Sequence, residues 1–200
     1  ADRARRIREF LSAEGHEALL INTAGNFYMV SGFHLDVEPW ERPVAAVIPR
    51  EGEPFLVMNE LSTNHLRMAT ERGTLFITDY ALYVEHPRIR HRLHDRNQWG
   101  DLVVSKLRER GITRGRIAVE GSGPGAVLAA NPNLQFVDVS PFLVEMREVK
   151  YPAELEIMRL CAALTDYGQD RYMELVKPGK LVAAHDFEVA RLVAEEASRL

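Results

Sequence analysis

Up to about residue 147 the chain alternates short apolar runs with stretches of helical period, and beyond it no run of strand character remains. That change of pattern limits the fold to a layered α/β domain followed by purely helical chain. Ala4, Ile7, Phe10 and Leu11 recur at helical spacing, and Gly15 stops that helix. The runs 17–22, 44–49, 54–58, 75–80, 116–121 and 135–139 read as strands. Helices are expected over 61–72, over a stretch ending at 102–110, and over 125–130. The turn signal at 50–53 makes 44–58 a hairpin, so the sheet is mixed rather than purely parallel.

After residue 147, Leu155, Met158, Ala162, Thr165 and Tyr172 trace a long amphipathic helix with Pro152 in its first turn. Lys177-Pro178-Gly179 breaks it, and Phe187, Ala190, Val193, Ala194 and Ala197 mark a second helix. Leu200 lies on that second stripe with no C-cap signal after it. The expectation is a chain that stops inside a second domain, with boundaries at 1–146, a linker at 147–152, and a truncated second domain at 153–200. Cys161 falls in the first stripe and reads as a small core residue.

Composition excludes several classes. The formal net charge is −4, with no global basic field to attract nucleic acid. No stretch is long and apolar enough for a transmembrane helix. The N-terminal ADRARRIREF has no apolar signal core, and a single cysteine suits a reducing, cytoplasmic compartment.

Motifs for chemistry are sparse. There is no HExxH; His91 and His94, with His86 upstream, sit among Arg88, Arg90, Arg92 and Arg96, a positive surrounding that opposes a dication. Gly121-Ser122-Gly123-Pro124-Gly125 does not match a serine nucleophile elbow. As a phosphate loop it lacks the following lysine, so the expected role is a tight turn with Ser122 or Gly123 capping the next helix. A richer segment is Asn26 to Trp40, which places His34, Asp36, Glu38 and Trp40 on an expected loop before a strand. Either this is a binding surface, or Phe27, Tyr28, Val30 and Phe33 pack inward while the polar groups face water.

Two segments together resemble the creatinase / aminopeptidase P / prolidase superfamily. NFYMVSGF at 26–33 is similar to the family's Asn-x-x-Tyr-Leu-[Ser/Thr]-Gly-Phe, with Asn26, Ser31, Gly32 and Phe33 matching and Met29 where tyrosine is usual. REVKYPAELEIMR at 147–159 is similar to the family's Arg-x-x-Lys-[Ser]-Pro-x-Glu-[Leu/Ile]-x-x-Met-Arg junction. Arg147, Lys150, Pro152, Glu154, Leu155, Met158 and Arg159 match, and Tyr151 replaces the common serine.

The resemblance implies a creatinase-type N-terminal α/β domain, its mixed sheet flanked by helices, followed by the first two helices of a pita-bread catalytic domain. It implies a parent metallohydrolase of Xaa-Pro aminopeptidase or dipeptidase type, with two divalent metal ions held beyond residue 200. The chain alone is then expected to be inactive, with no catalytic or metal residue of its own. The implied partners are a short proline-containing peptide or small amide substrate and a second copy in a homodimer, with no nucleic acid and no membrane. By motif position, Asn26 and Phe33 become candidates for the substrate pocket or subunit contact, with His34, Asp36 and Trp40 following in the loop. The alternatives are a creatinase-like C–N hydrolase and a non-catalytic peptide- or protein-binding member of the same superfamily.

Overall fold

The computed structural model describes residues 2–34, 42–84, 98–175, 179 and 182–199. The chain divides into two compact units, Ala1–Met146 and Arg147–Leu200.

The first unit is a six-stranded mixed sheet with helices on both faces. The chain runs α1 (Asp2–Glu14), β1 (Ala18–Ile21), α2 (Ala24–Ser31), β2 (Ala45–Pro49) and β3 (Phe55–Asn59). After a 3₁₀ turn at Glu60–Ser62 it continues with α3 (Thr63–Glu71), β4 (Tyr80–Tyr83), α4 (Gln98–Glu109), β5 (Gly115–Val119), α5 (Gly125–Ala130), β6 (Leu134–Asp138) and α6 (Ser140–Glu148). The strand order is β4-β3-β2-β1-β5-β6. Only β2 runs against the others: it pairs antiparallel with β1 and β3, while β1–β5, β5–β6 and β3–β4 are parallel.

The central strands β1, β2 and β3 are near-continuous apolar runs because both faces are covered, whereas β4 and β6, at the two ends of the sheet, are only partly buried. In β1, Leu19 and Ile21 face one core with Ile7 and Leu11 of α1, Phe27 of α2, Leu66 of α3 and Leu143 of α6. Ala18 and Leu20 face the other, with Trp99, Val103 and Leu107 of α4 and Val127 of α5. Phe10 and Phe142 stack at 3.8 Å and tie α1 to α6.

The fourth strand differs from expectation. The run 75–80 is not a strand; β4 begins at Tyr80, which pairs with Leu56. The Phe76 N–H instead donates to Ser31 O at 2.7 Å, so this stretch braces α2 rather than a neighbouring strand.

Just before β1, His16 is 2% exposed, and its Nδ1 has no hydrogen-bond partner among the described residues. Burial, reinforced by the Arg116 charge and opposed by Glu14, holds the imidazole below its ordinary pKa. The unfolded chain therefore takes up a proton near pH 6.5 that the folded chain resists. Stability is full above that value and falls as pH drops toward the lowered folded value, by at most ~1.4 kcal/mol per pH unit. Urea unfolding at pH 7.5 and 5.5 should show this loss, and His16→Leu should flatten it. An unchanged slope in the variant would remove His16 as its source.

The second unit comprises α7 (Pro152–Leu175) and α8 (Val182–Ala197), with Gly168 closely facing Val193 where they pack. Glu154 accepts the Tyr151 N–H at 2.9 Å, half of a capping box that starts α7 with Pro152 as its first residue. Lys150 donates to the carbonyls of Arg147 and Glu148 rather than to a nearby acid. Cys161 is exposed, against the expected core position, because two helices alone cannot enclose it. Leu155, Ile157, Met158, Leu160, Met173 and Phe187 are likewise exposed. No helix among the described residues is long and apolar enough to cross a membrane.

Candidate functional site

All strands but β2 end at the same edge of the sheet, where Asn59 closes β3 and Asn22, Glu120 and Val139 follow β1, β5 and β6. In open α/β sheets this carboxyl edge is where ligands are bound. Helix α2 leaves it directly from β1 and carries the 26–33 segment. That segment was expected to be a loop; it is a helix and its C-cap. Eight residues are too few to show a helical stripe, and Asn26, Phe27, Met29 and Ser31 are all buried, which hides the polar face.

Both ends of α2 are tied to distant chain. At its start, Asn26 Nδ2 donates to Glu120 Oε1 at 2.7 Å, and Thr23 Oγ1 donates to Glu120 Oε2 at 2.7 Å. Thr23 is the N-cap residue by position, yet its hydroxyl caps nothing on α2, being turned to Glu120 instead. At its end, Gly32 adopts φ 69° and donates its N–H to Tyr28 O. Ser31 Oγ donates to Phe27 O at 2.7 Å and accepts the Phe33 N–H at 3.0 Å. Thr74 O and the Phe76 ring lie over Gly32.

The candidates named from sequence separate in this geometry. Asn26 is buried and bound to Glu120. Phe33 is 5% exposed and belongs to the core beneath α2. His34 is exposed, its ring edge-on to Tyr28 at 6.1 Å. Tyr28 and Phe76 are 54% and 69% exposed, so Tyr28 does not pack inward as one of the sequence alternatives had it. Asp36 and Trp40 lie outside the described residues, as do Glu38, His86, His91 and His94. Sequence reasoning missed Thr23, Glu120, Tyr28 as a surface group, and Phe76. The signal for Glu120 was present only as an acid ending an apolar run.

The glycine loop after β5 serves the fold. The Gly121 N–H donates to Asp138 Oδ1 at 2.9 Å and to Ser140 Oγ at 3.1 Å, so this donor is already engaged within the chain. Pro124, not Ser122 or Gly123, is the N-cap residue of α5. The Ser140 hydroxyl, with the backbone N–H groups of Ser140 and Gly121, holds the Asp138 carboxyl below the usual carboxylate range. Among the described residues no group of three or more His, Cys, Asp or Glu could hold a metal ion. What α2 offers is a helix held at both ends, with the Tyr28 phenol and, past its cap, the His34 imidazole facing solvent, suited to contacting a ligand.

Comparison with known proteins gives a consistent picture. The family described as "Creatinase/Prolidase N-terminal domain" matches residues 3–149. The Bacillus subtilis (strain 168) protein named "Putative dipeptidase YkvY" is 28% identical over 172 residues, which cover 84% of this chain and 43% of that protein. Two solved structures share the fold. A recombinant prolidase from Thermococcus sibiricus has a TM-score of 0.69 at 20% identity, covering 92% of this chain and 47% of its own. A Xaa-Pro dipeptidase from Bacillus anthracis has a TM-score of 0.70 at 14% identity, covering 98% of this chain and 49% of its own. The chain thus spans about half the length of each of these three proteins.

Proposed function

We propose, from the premise that the chain belongs to the creatinase/prolidase N-terminal domain family, that it is the N-terminal portion of a Xaa-Pro dipeptidase-like metallohydrolase. The observation that carries the reading is the family match through residue 149. The exposed Tyr28–His34 pair on the C-terminal half of α2 and just past its cap supports it. On this reading the first unit limits the substrate pocket and contributes subunit contacts in a homodimer, and 153–200 begins the catalytic domain. Two divalent ions would be held by chain beyond residue 200. The substrate is a short peptide with proline after its first residue. Asn26 and Phe33 act from within the fold, by holding α2 and its cap, while Tyr28 and His34 form the wall that meets the substrate. Asp36 and Trp40 follow His34 in sequence and remain candidates for the same role. The compartment is the cytoplasm, which suits a lone cysteine.

The complete polypeptide should contain divalent metal and cleave Xaa-Pro dipeptides. His34→Ala should raise KM up to about tenfold, the equivalent of one lost contact worth ~1.4 kcal/mol, with kcat nearly unchanged. Absence of both metal and cleavage would exclude the peptidase reading, leaving a creatinase-like hydrolase or a binding protein.

A further inference from the structure

Helix α2 is anchored by an acid that lies far away in sequence. Glu120 stands 94 residues from Asn26 and 97 from Thr23, and each of its carboxylate oxygens takes one of their donors at 2.7 Å. We propose that Glu120 is a positioning residue for the substrate-facing surface of α2: by gripping Thr23 and Asn26 it fixes the helix rotation that places Tyr28 and His34. This rests on the functional reading above and assigns Glu120 a part in it.

The physical argument concerns what the other contacts leave free. Phe27 and Met29 bury the inner face of α2, but apolar burial is non-directional and permits a helix to turn about its axis. At the last residue of the helix, Ser31 O accepts the Phe76 N–H at 2.7 Å, which fixes a point but not an orientation. With side chains the helix has a radius of roughly 5–6 Å, so a rotation of about 10° moves the Tyr28 ring by about 1 Å. Contact geometry in a binding site tolerates only about 0.5 Å. Two bonds to one carboxylate, from adjacent turns of the chain, supply the missing restraint. Thr23 gives its hydroxyl to this grip instead of to its own helix, the usual use of a threonine at that position.

Glutamine can keep the grip. Its Oε1 accepts from Asn26 Nδ2 and its Nε2 donates to Thr23 Oγ1, the hydroxyl changing from donor to acceptor. Glu120→Ala cannot. Hydrogen exchange on this chain reads the restraint directly. In Glu120→Ala the Phe27 and Gly32 amides should lose protection about tenfold or more while amides of β1 and β5 keep theirs, and Glu120→Gln should restore them. In the complete polypeptide, Glu120→Ala should raise KM for a Xaa-Pro dipeptide about tenfold with kcat within about twofold, and Glu120→Gln should reverse this. Val103→Ala, in the opposite core, serves as a control for general loss of stability and should leave KM unchanged.

Full protection of α2 in Glu120→Ala overturns the proposal, as does an equal rise in KM in Val103→Ala. Where the wild-type polypeptide leaves Xaa-Pro dipeptides uncut, the functional reading fails separately. Exchange then decides for Glu120: protection lost on alanine and regained on glutamine supports the restraint, and any other pattern removes it.

Discussion

Gly32→Ala should destabilise the first unit by about 3–5 kcal/mol, seen as a fall in Tm of roughly 10 °C. Gly32 sits at φ 69°, where an L side chain costs roughly 1–2 kcal/mol. The larger part is collision. A Cβ built there lies 2.2 Å from Thr74 O and 3.0 Å from the Phe76 ring. The ring could swing away, but the carbonyl cannot do so cheaply. Thr74 N–H is bonded to Ala69 O at 3.0 Å, and Phe76 N–H is bonded to Ser31 O at 2.7 Å, so the strap over Gly32 is pinned on both sides. Gly15 provides the comparison, because it has φ 68° and nothing within 4 Å of the added Cβ. Gly15→Ala should therefore lose only the backbone part, about 1–2 kcal/mol. The difference between the two variants, read from urea unfolding, isolates the collision. If they prove equally mild, the strap is not held as described.

The same strap shows where sequence reading stops. Leu75 and Ile77 are buried while Phe76 is exposed, an alternation that in isolation means a strand. What makes a strand is a ladder partner, and the Phe76 N–H is spent on the end of α2. The pairing with β3 begins at Tyr80, five residues after the apolar run starts. By contrast β1, β2 and β3 were legible because burial on both faces writes an unbroken apolar run between turn signals, and β5 and β6 because a short apolar stretch, at 117–119 and 136–137, stands between turn residues. Helix α5 was legible at both ends. The candidate site was half legible. The motif around Asn26 and Gly32 can be seen in the sequence, but the acid that receives Asn26 lies just past β5, 94 residues away, and only folding makes them neighbours. Exposure of Tyr28 against burial of Phe27 and Met29 depends on the direction in which α2 leaves β1, which no local pattern encodes.

Phe55→Ala should be the most costly of the large-to-small changes, about 4–6 kcal/mol and enough to unfold a unit of ordinary stability. Phe55 is fully buried in β3, paired across from Val47 of β2. Removing its ring costs about 3–5 kcal/mol in lost transfer energy and cavity. A second contribution comes from Arg110, whose guanidinium lies 4.5 Å from the ring centroid. That side chain is 12% exposed, so the cation–π contact falls between the solvated and desolvated limits, about 1–2 kcal/mol. Arg110 is not free to follow the missing ring. Its Nε donates to Glu53 O at 2.7 Å, its Nη1 to Lys106 O at 3.0 Å, and its Nη2 to Asp79 Oδ2 at 2.5 Å. Lys106 holds the other Asp79 oxygen at 2.7 Å. Burial works against the Asp79 charge, but Lys106 and Arg110 outweigh it and hold the carboxyl below its usual range. This cluster therefore stabilises the fold above about pH 4 and fails only as pH falls through the lowered value. Phe55→Leu separates the two contributions, since it keeps most of the apolar volume and loses the π face. A double-mutant cycle between Phe55→Leu and Arg110→Met should give a coupling of about 1 kcal/mol at neutral pH. Zero coupling would mean that the guanidinium rests on the ring without being attracted to it, held there by its bonds to Glu53, Lys106 and Asp79.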